Sequence, residues 1–356
     1  MSPTPSTASV LALDLGGSRI RAAVVGADGS RHARTERPTP RSGSAAVVAA
    51  CIAALRESAA QLAPTPRSEI AGVGISAPGP VDPRTGVVLE PPNLGAEFRN
   101  IPLAADVAAA LELPAFLDRD TNAALLGECA FGAARGERDA VYLTVSTGVG
   151  GAILSGGAVL RGPDGLAGEL GHLAVELDGP RCGCGGIGHV EAIASGVALA
   201  RDARAAASDG SSPFLAARVA SGAELTGRDV SAGAGAGDAT CLALLARTRR
   251  AVAAACVSIA NTLSPHLIVV GGAIGLALGE SLLAEVRAAL RNEVFPVIGR
   301  RIRVVNPELG DDVSLAGAWP LVNGHADRSN RSQPSNDRVP SASRRATGSP
   351  KEVAIP

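Results

Sequence analysis

VLALDLGGSRIRAAVVGA, residues 10 to 27, reads as a β-prone run, a glycine turn at Gly16-Gly17 and a second β-prone run. The same order returns further on. AVYLTVS (140 to 146) enters Thr147-Gly148-Val149-Gly150-Gly151, and AILSG resumes a strand. Two such units roughly 130 residues apart point to a duplicated α/β domain. A glycine turn at the end of a strand offers backbone N–H groups to an anion, with no Cβ in the way. A single turn of this kind is most often a tight hairpin; two facing each other across a cleft would hold a polyphosphate from both sides.

Outward from these units, strand and helix signals alternate. Asp28-Gly29 marks a further turn, and RHARTER reads as a third strand. An Ala/Leu-rich helix follows from about 44 to 62, then the strand IAGVGISA at 70 to 77. A helix near 103 to 112 leads to the strand AFLD at 115 to 118, and another runs from Asp120 to about 131. This is the alternation of an α/β protein. At 356 residues the chain exceeds one compact domain, so two domains are expected.

Composition narrows the function. Hydrophobic residues make up 46% of the chain and aromatics 2%, so the core is aliphatic and few rings are available to stack nucleobases. The net charge of -1 gives no basic field for DNA or anionic lipid. No run of about 18 apolar residues suggests a membrane span, and MSPTPSTAS lacks the pattern of a secretion signal. A cytoplasmic enzyme acting on small molecules is the expectation, with no nucleic-acid or membrane partner. Residues 1 to 9 and 325 to 356 are rich in Ser, Pro and Arg and are expected to be disordered. The second stretch carries six basic and three acidic residues, which leaves the rest near -4.

Of six cysteines, those at 51, 129, 241 and 256 lie in Ala-rich helical stretches and read as small buried hydrophobes. Cys182 and Cys184 differ, because RCGCGG offers nothing apolar to bury them and a bridge between them would be strained. His172, Cys182, Cys184 and His189 have the residue types of a closed zinc site with two sulfur and two nitrogen ligands. Asp14 ends the first strand beside the glycine turn, where it reads either as a turn former or as a group facing phosphate through a cation. Asp120, between a strand and a helix, reads locally as a helix cap.

Five segments together resemble the ROK family (repressors, open reading frames and kinases) over roughly residues 10 to 322. They are DLGGSR (14 to 19), DRDTNAALLGE (118 to 128), STGVGG (146 to 151), GELGH (168 to 172) with CGCGGIGHVEA (182 to 192), and NTLSPHLIVVGGA (261 to 273). The resemblance implies a two-domain actin-like/hexokinase (RNase H-like) α/β fold with an interdomain cleft. The small domain would span 10 to 120 and be completed by a C-terminal helix at 312 to 323 containing Trp319; the large domain would span 121 to 311.

The implied activity is ATP-dependent phosphorylation of a free hexose, with glucose as the acceptor and N-acetylmannosamine or another hexose as the alternative. By resemblance Asp120 is the general base, and Asp14 holds the water shell of Mg²⁺ on ATP. Gly16, Gly17, Ser18, Thr147, Gly148, Gly150 and Gly151 face phosphate, with adenosine near Gly271 and Gly272. Glu169, His172 and Glu191 read the sugar, aided by Gly79 and Asn93 at the cleft edge and by Arg119. A structural Zn²⁺ on His172, Cys182, Cys184 and His189 would stiffen the sugar loop.

Two departures stand out. The last zinc ligand, usually Cys in the family, is His189. Arg119 stands where the family's glucokinases commonly carry Asn, and a guanidinium accepts no hydrogen bond. Arg119 would then turn away, pair with a site carboxylate, or recognise an anionic or altered sugar. The family also includes transcriptional repressors, but only nine residues precede the first strand, too few for a DNA-reading helix. Polyphosphate as donor stays open, as does a non-catalytic sensor. A dimer or tetramer is the family's common state.

Overall fold

The computed structural model describes residues 8–61 and 70–331, the last seven of these as backbone only. The first half carries strands β1 (Ser9–Leu15), β2 (Arg19–Val25) and β3 (Arg31–Pro38), helix α1 (Ser44–Ala60) and strand β4 (Ile70–Ala77). A small hairpin, β5 (Val81–Asp82) and β6 (Val87–Val88), then leads to α2 (Leu103–Leu111), β7 (Ala115–Arg119) and α3 (Asp120–Phe131). The second half opens with β8 (Ala140–Val145), β9 (Val149–Ser155) and β10 (Ala158–Val159). Helices follow: α4 (Glu191–Ala194), α5 (Gly196–Ser208), α6 (Pro213–Ala220), α7 (Gly227–Gly235) and α8 (Ala239–Leu263). The chain continues through β11 (Leu267–Gly271), α9 (Ala273–Glu293), α10 (Pro296–Gly299), β12 (Arg303–Val305), α11 (Val313–Ala316) and α12 (Ala318–Arg331).

The duplication read from the two glycine turns reappears as topology. One five-stranded sheet runs β3-β2-β1-β4-β7 and the other β10-β9-β8-β11-β12. In both, the opening three strands pair antiparallel and the last two join in parallel. β1 shows why its sequence is almost wholly apolar. Leu11, Leu13 and Leu15 pack under α1 and α2, while Val10 and Ala12 pack against Leu315, Ala318 and Val322 on the opposite face. A strand covered on both sides reads as a continuous apolar run. In the second sheet, Val141, Leu143 and Val145 face α4, α8 and α9, and Tyr142 faces α3. Helix α3 therefore leaves the end of β7 in the first sheet and packs on the second, which places its first residue between the two.

The C-terminal segment differs in detail from the expected helix at 312 to 323. A 3-10 turn (Gly310–Asp312) and α11 precede α12, which Ala318 and Val322 seat on the first sheet and which continues to Arg331. The start of the stretch expected to be disordered from 325 thus belongs to a helix. Ser9 likewise begins β1, and the Ala8 carbonyl accepts the Trp319 indole N–H at 3.1 Å. The remaining parts of both stretches, 1–7 and 332–356, lie outside the described residues. Among the described residues no helix is long and apolar enough to cross a membrane.

Candidate active site

Two connected cavities open between the sheets. The first, about 490 Å³, takes its walls from both glycine turns: Asp14, Gly16 and Gly17 on one side, and Thr147, Gly148 and Gly150 on the other. Gly272, Leu276 and Pro307 close its far end. The conformation of Gly272 (φ 84°) suits glycine, and a Cβ there would collide with the Val145 carbonyl oxygen. Asp14 is buried and both of its oxygens have partners, with acceptor capacity left on Oδ1: Oδ2 accepts from Arg21 Nη2 (2.7 Å) and Nε (3.0 Å), and Oδ1 accepts from Ser76 Oγ (2.8 Å). Arg21 Nη1 in turn donates to the Asp311 carbonyl at 2.6 Å. Three of the residues expected on this side do not line it. Ser18 is exposed outside the cavity, Gly151 faces the second cavity, and Gly271 is packed beside the Tyr142 hydroxyl.

The second cavity, about 370 Å³, is bounded by Arg119, Asp120, Glu169, His172, Gly79 and Leu166. Two residues expected to read sugar lie in the first cavity instead. Asn93 packs on the first glycine turn, where a Cβ on Gly17 would come within 2.9 Å of it. Glu191 Oε2 accepts the Val149 N–H at 2.9 Å, occupying a donor of the second glycine turn. The physical reason is position: Glu191 starts α4 against that turn, where a Cβ on Gly148 would come within 2.7 Å of its Oε2.

Asp120 lines both cavities and, among the described residues, is the one carboxylate to do so. It is the first residue of α3, and its Oδ1 accepts the Thr121 N–H at 2.7 Å. The carboxylate is open to the cleft by surface area, yet protein surrounds it at longer range. Desolvation therefore pushes its pKa from 3.8 up to about 6; the Thr121 hydrogen bond and Arg119 oppose the rise, and Asp14 and Glu169 add to it. At pH 7 such a group is ionised and able to take a proton, which is the range suited to a general base.

Beside the second cavity, His172, Cys182, Cys184 and His189 bring their ligand atoms within 4.8 Å of one another. Cys182 Sγ lies 3.7 Å from His172 Nδ1, and Cys184 Sγ lies 3.3 Å from His189 Nδ1. Four-coordinate zinc, with Zn–S of about 2.3 Å and Zn–N of about 2.0–2.1 Å, holds its ligands roughly 3.4–3.8 Å apart, so these two Cys–His pairs lie close to the spacing the ion needs. The loop closes on itself through Cys182 N–H to the Gly186 carbonyl at 2.8 Å and Gly185 N–H to Cys182 at 2.9 Å. His172 faces two ways, since its Nε2 is 4.0 Å from Glu169 Oε2.

Sequence reasoning did not single out Arg21, Thr121, Asp118 or Arg161. Arg21 was within reach, because the hairpin around the first glycine turn sets it directly opposite Asp14. Thr121 lines both cavities simply by following Asp120. Asp118 is fully buried and pairs with Arg161, whose Nε is 2.9 Å from Oδ2; nothing local in the chain links those two positions.

A protein-family model described as the ROK family matches residues 10–325. An N-acetylmannosamine kinase of Shigella flexneri is 35% identical over 320 residues, 89% of this chain and 99% of the relative. A glucokinase of Halalkalibacterium halodurans is 31% identical over 313 residues, 87% of this chain and 93% of the relative. Among solved structures, a ROK family glucokinase from Streptomyces griseus in complex with glucose and AMPPNP superposes with a TM-score of 0.72 at 32% identity. That superposition covers 89% of this chain and 99% of the glucokinase chain.

Proposed function

The chain belongs to the ROK family, and on that premise we propose that it is a sugar kinase, transferring the terminal phosphoryl group of ATP to a hydroxyl of a free hexose. The observation that carries this reading is the position of Asp120, the one carboxylate among the described residues that lines both the cavity between the glycine turns and the cavity at Glu169 and His172. A phosphate chain held on one side and a hexose on the other meet at that carboxylate. The acceptor O–H gives its proton to Asp120, the new O–P bond forms, and the bond to ADP breaks. Positioning and charge stabilisation supply most of the acceleration in such transfers.

Gly16, Gly17, Thr147, Gly148 and Gly150 would cradle phosphate. Asp14 would hold the hydrated Mg²⁺ that travels with ATP, and that ion would shield the phosphate charge. Glu169 and His172 would accept and position sugar hydroxyls, with a structural Zn²⁺ on His172, Cys182, Cys184 and His189 fixing the imidazole. Glu191, whose Oε2 accepts the Val149 N–H, would join them through Oε1, which lies 3.8 Å from Cys182 Sγ. The small domain at 10–120, completed by α11 and α12, and the large domain at 121–311 would form the two jaws.

Glucose, giving glucose 6-phosphate, is the first acceptor. N-acetylmannosamine is the second, because the Shigella flexneri relative that carries that name is 35% identical to this chain. A coupled ADP-release assay with ATP·Mg²⁺ against glucose, mannose and N-acetylmannosamine tests the reading. Turnover with at least one is the expected result. Absence of turnover with all three, in zinc-loaded folded protein, would overturn it.

A further inference from the structure

Arg119 stands apart from the rest of the second cavity. It is a cation only 3% exposed, at the end of β7 in the first sheet, yet most of its partners belong to the second half. Nη1 donates to Glu169 Oε1, and Nη2 donates to the Ala167 carbonyl at 2.6 Å and more weakly to that of Gly151 at 3.3 Å. The room for it comes from two glycines. A Cβ on Gly79 would lie 3.1 Å from Arg119 Cδ, and one on Gly168 would lie 3.1 Å from Nη2. At φ 91° Gly168 also holds a conformation that other residues adopt only with strain.

The neighbouring residue repeats the device with the charges reversed. Asp118 is fully buried and accepts from Arg161 Nε at 2.9 Å. Successive strand residues face opposite sides, so the end of β7 grips the segment 161–169 at both ends, acid to base at one and base to acid at the other. That segment covers the second cavity with Leu166 and ends on Glu169. Because the two pairs have opposite polarity, a slip of the segment would bring like charges together or leave a buried charge unpaired, and both are costly. Arg119 thus fixes where Glu169 stands, and it leaves Oε2 as the oxygen turned toward His172.

We propose that Arg119 is a positioning residue for hexose recognition: it holds Glu169 and the 161–169 segment in place over the sugar cavity, and does so without touching the nucleotide side. This rests on the sugar-kinase reading for the identity of the ligand. Arg119 does not line the cavity between the glycine turns, so its loss should be felt by the sugar and not by ATP.

The test uses the full chain and two variants, Arg119→Met, which keeps the aliphatic stem, and Arg119→Lys, which keeps the charge. Calorimetric affinity for glucose, mannose and N-acetylmannosamine is measured beside the KM for hexose and for ATP. Arg119→Met should weaken hexose binding about tenfold or more while the KM for ATP stays within about twofold. Arg119→Lys should recover part of the loss, since a lysine can reach Glu169 but lacks the fork that also engages the carbonyls. Hexose affinity unchanged in Arg119→Met would overturn the proposal, as would equal losses for hexose and ATP. If the parent binds a hexose but releases no ADP, the kinase reading falls while binding still tests Arg119. If the parent binds none of the three sugars, the positioning proposal fails as well.

Discussion

Asp120 combines two demands in one side chain. As the first residue of α3 it accepts the Thr121 N–H, which by itself is only a helix cap. What separates it from a cap is the surrounding protein, which pushes its pKa up to about 6. The catalytic consequence has a definite sign: a base must be unprotonated, so turnover should fall about tenfold per pH unit below 6 and be flat above it. Asp120→Asn should lower kcat by about 10²-fold or more, read by ADP release. The stability consequence runs the other way. With the folded pKa above 3.8, the native state binds the extra proton between about pH 4 and 6, so the contribution of Asp120 to stability weakens as pH rises through that window. Asp120→Asn should therefore melt at the same temperature as the parent, or higher, at pH 7. A variant that loses activity because it unfolds would contradict this. The carboxylate was legible in the sequence as a residue; its raised pKa was not, because desolvation depends on neighbours from both halves of the chain.

At the scale of the element, the loop from Leu170 to Val190 shows how closely spaced ligands can be read from a sequence. Cys182 and Cys184 share one turn, and His189 follows at the antiparallel bridge to Ala174, so three of the four ligands converge through local hydrogen bonds. Gly186 is needed there, since a Cβ would collide with the His189 ring. The expected outcome of metal analysis is one zinc per chain, falling to under about a tenth in Cys182→Ser, because a closed four-ligand site loses its ion with a ligand. Hexose binding should weaken in the same variant, with the KM for ATP little changed, since His172 belongs to both the Cys/His cluster and the second cavity. Parent protein without zinc would defeat the assignment. Other elements were less legible. Glu191 was expected to read the sugar with Glu169, but it starts α4 against the second glycine turn, where its Oε2 accepts the Val149 N–H.

At the scale of the molecule, the two halves repeat one strand order around a shared cleft, and α3 crosses from one to the other. Ion pairs from Asp118 and Arg119 to Arg161 and Glu169 tie the halves beside the second cavity. Closure over a bound hexose would exclude water and limit transfer to it. Small-angle scattering should show the radius of gyration falling when the hexose that supports turnover is added. An unchanged value at saturating sugar would count against closure.

The sequence by itself determined the α/β class, the duplication and the two glycine turns, because continuous apolar runs and glycine turns are local and survive without the rest of the chain. It also marked Asp14, Asp120 and the Cys/His cluster by residue type and order. Only the tertiary structure decided which groups share a cavity: Glu169 and His172 with Asp120, Glu191 with the second glycine turn, and Arg119 with Glu169 fifty positions away. Side-chain partnerships of that kind depend on how one sheet is set against the other, and no local pattern carries that information.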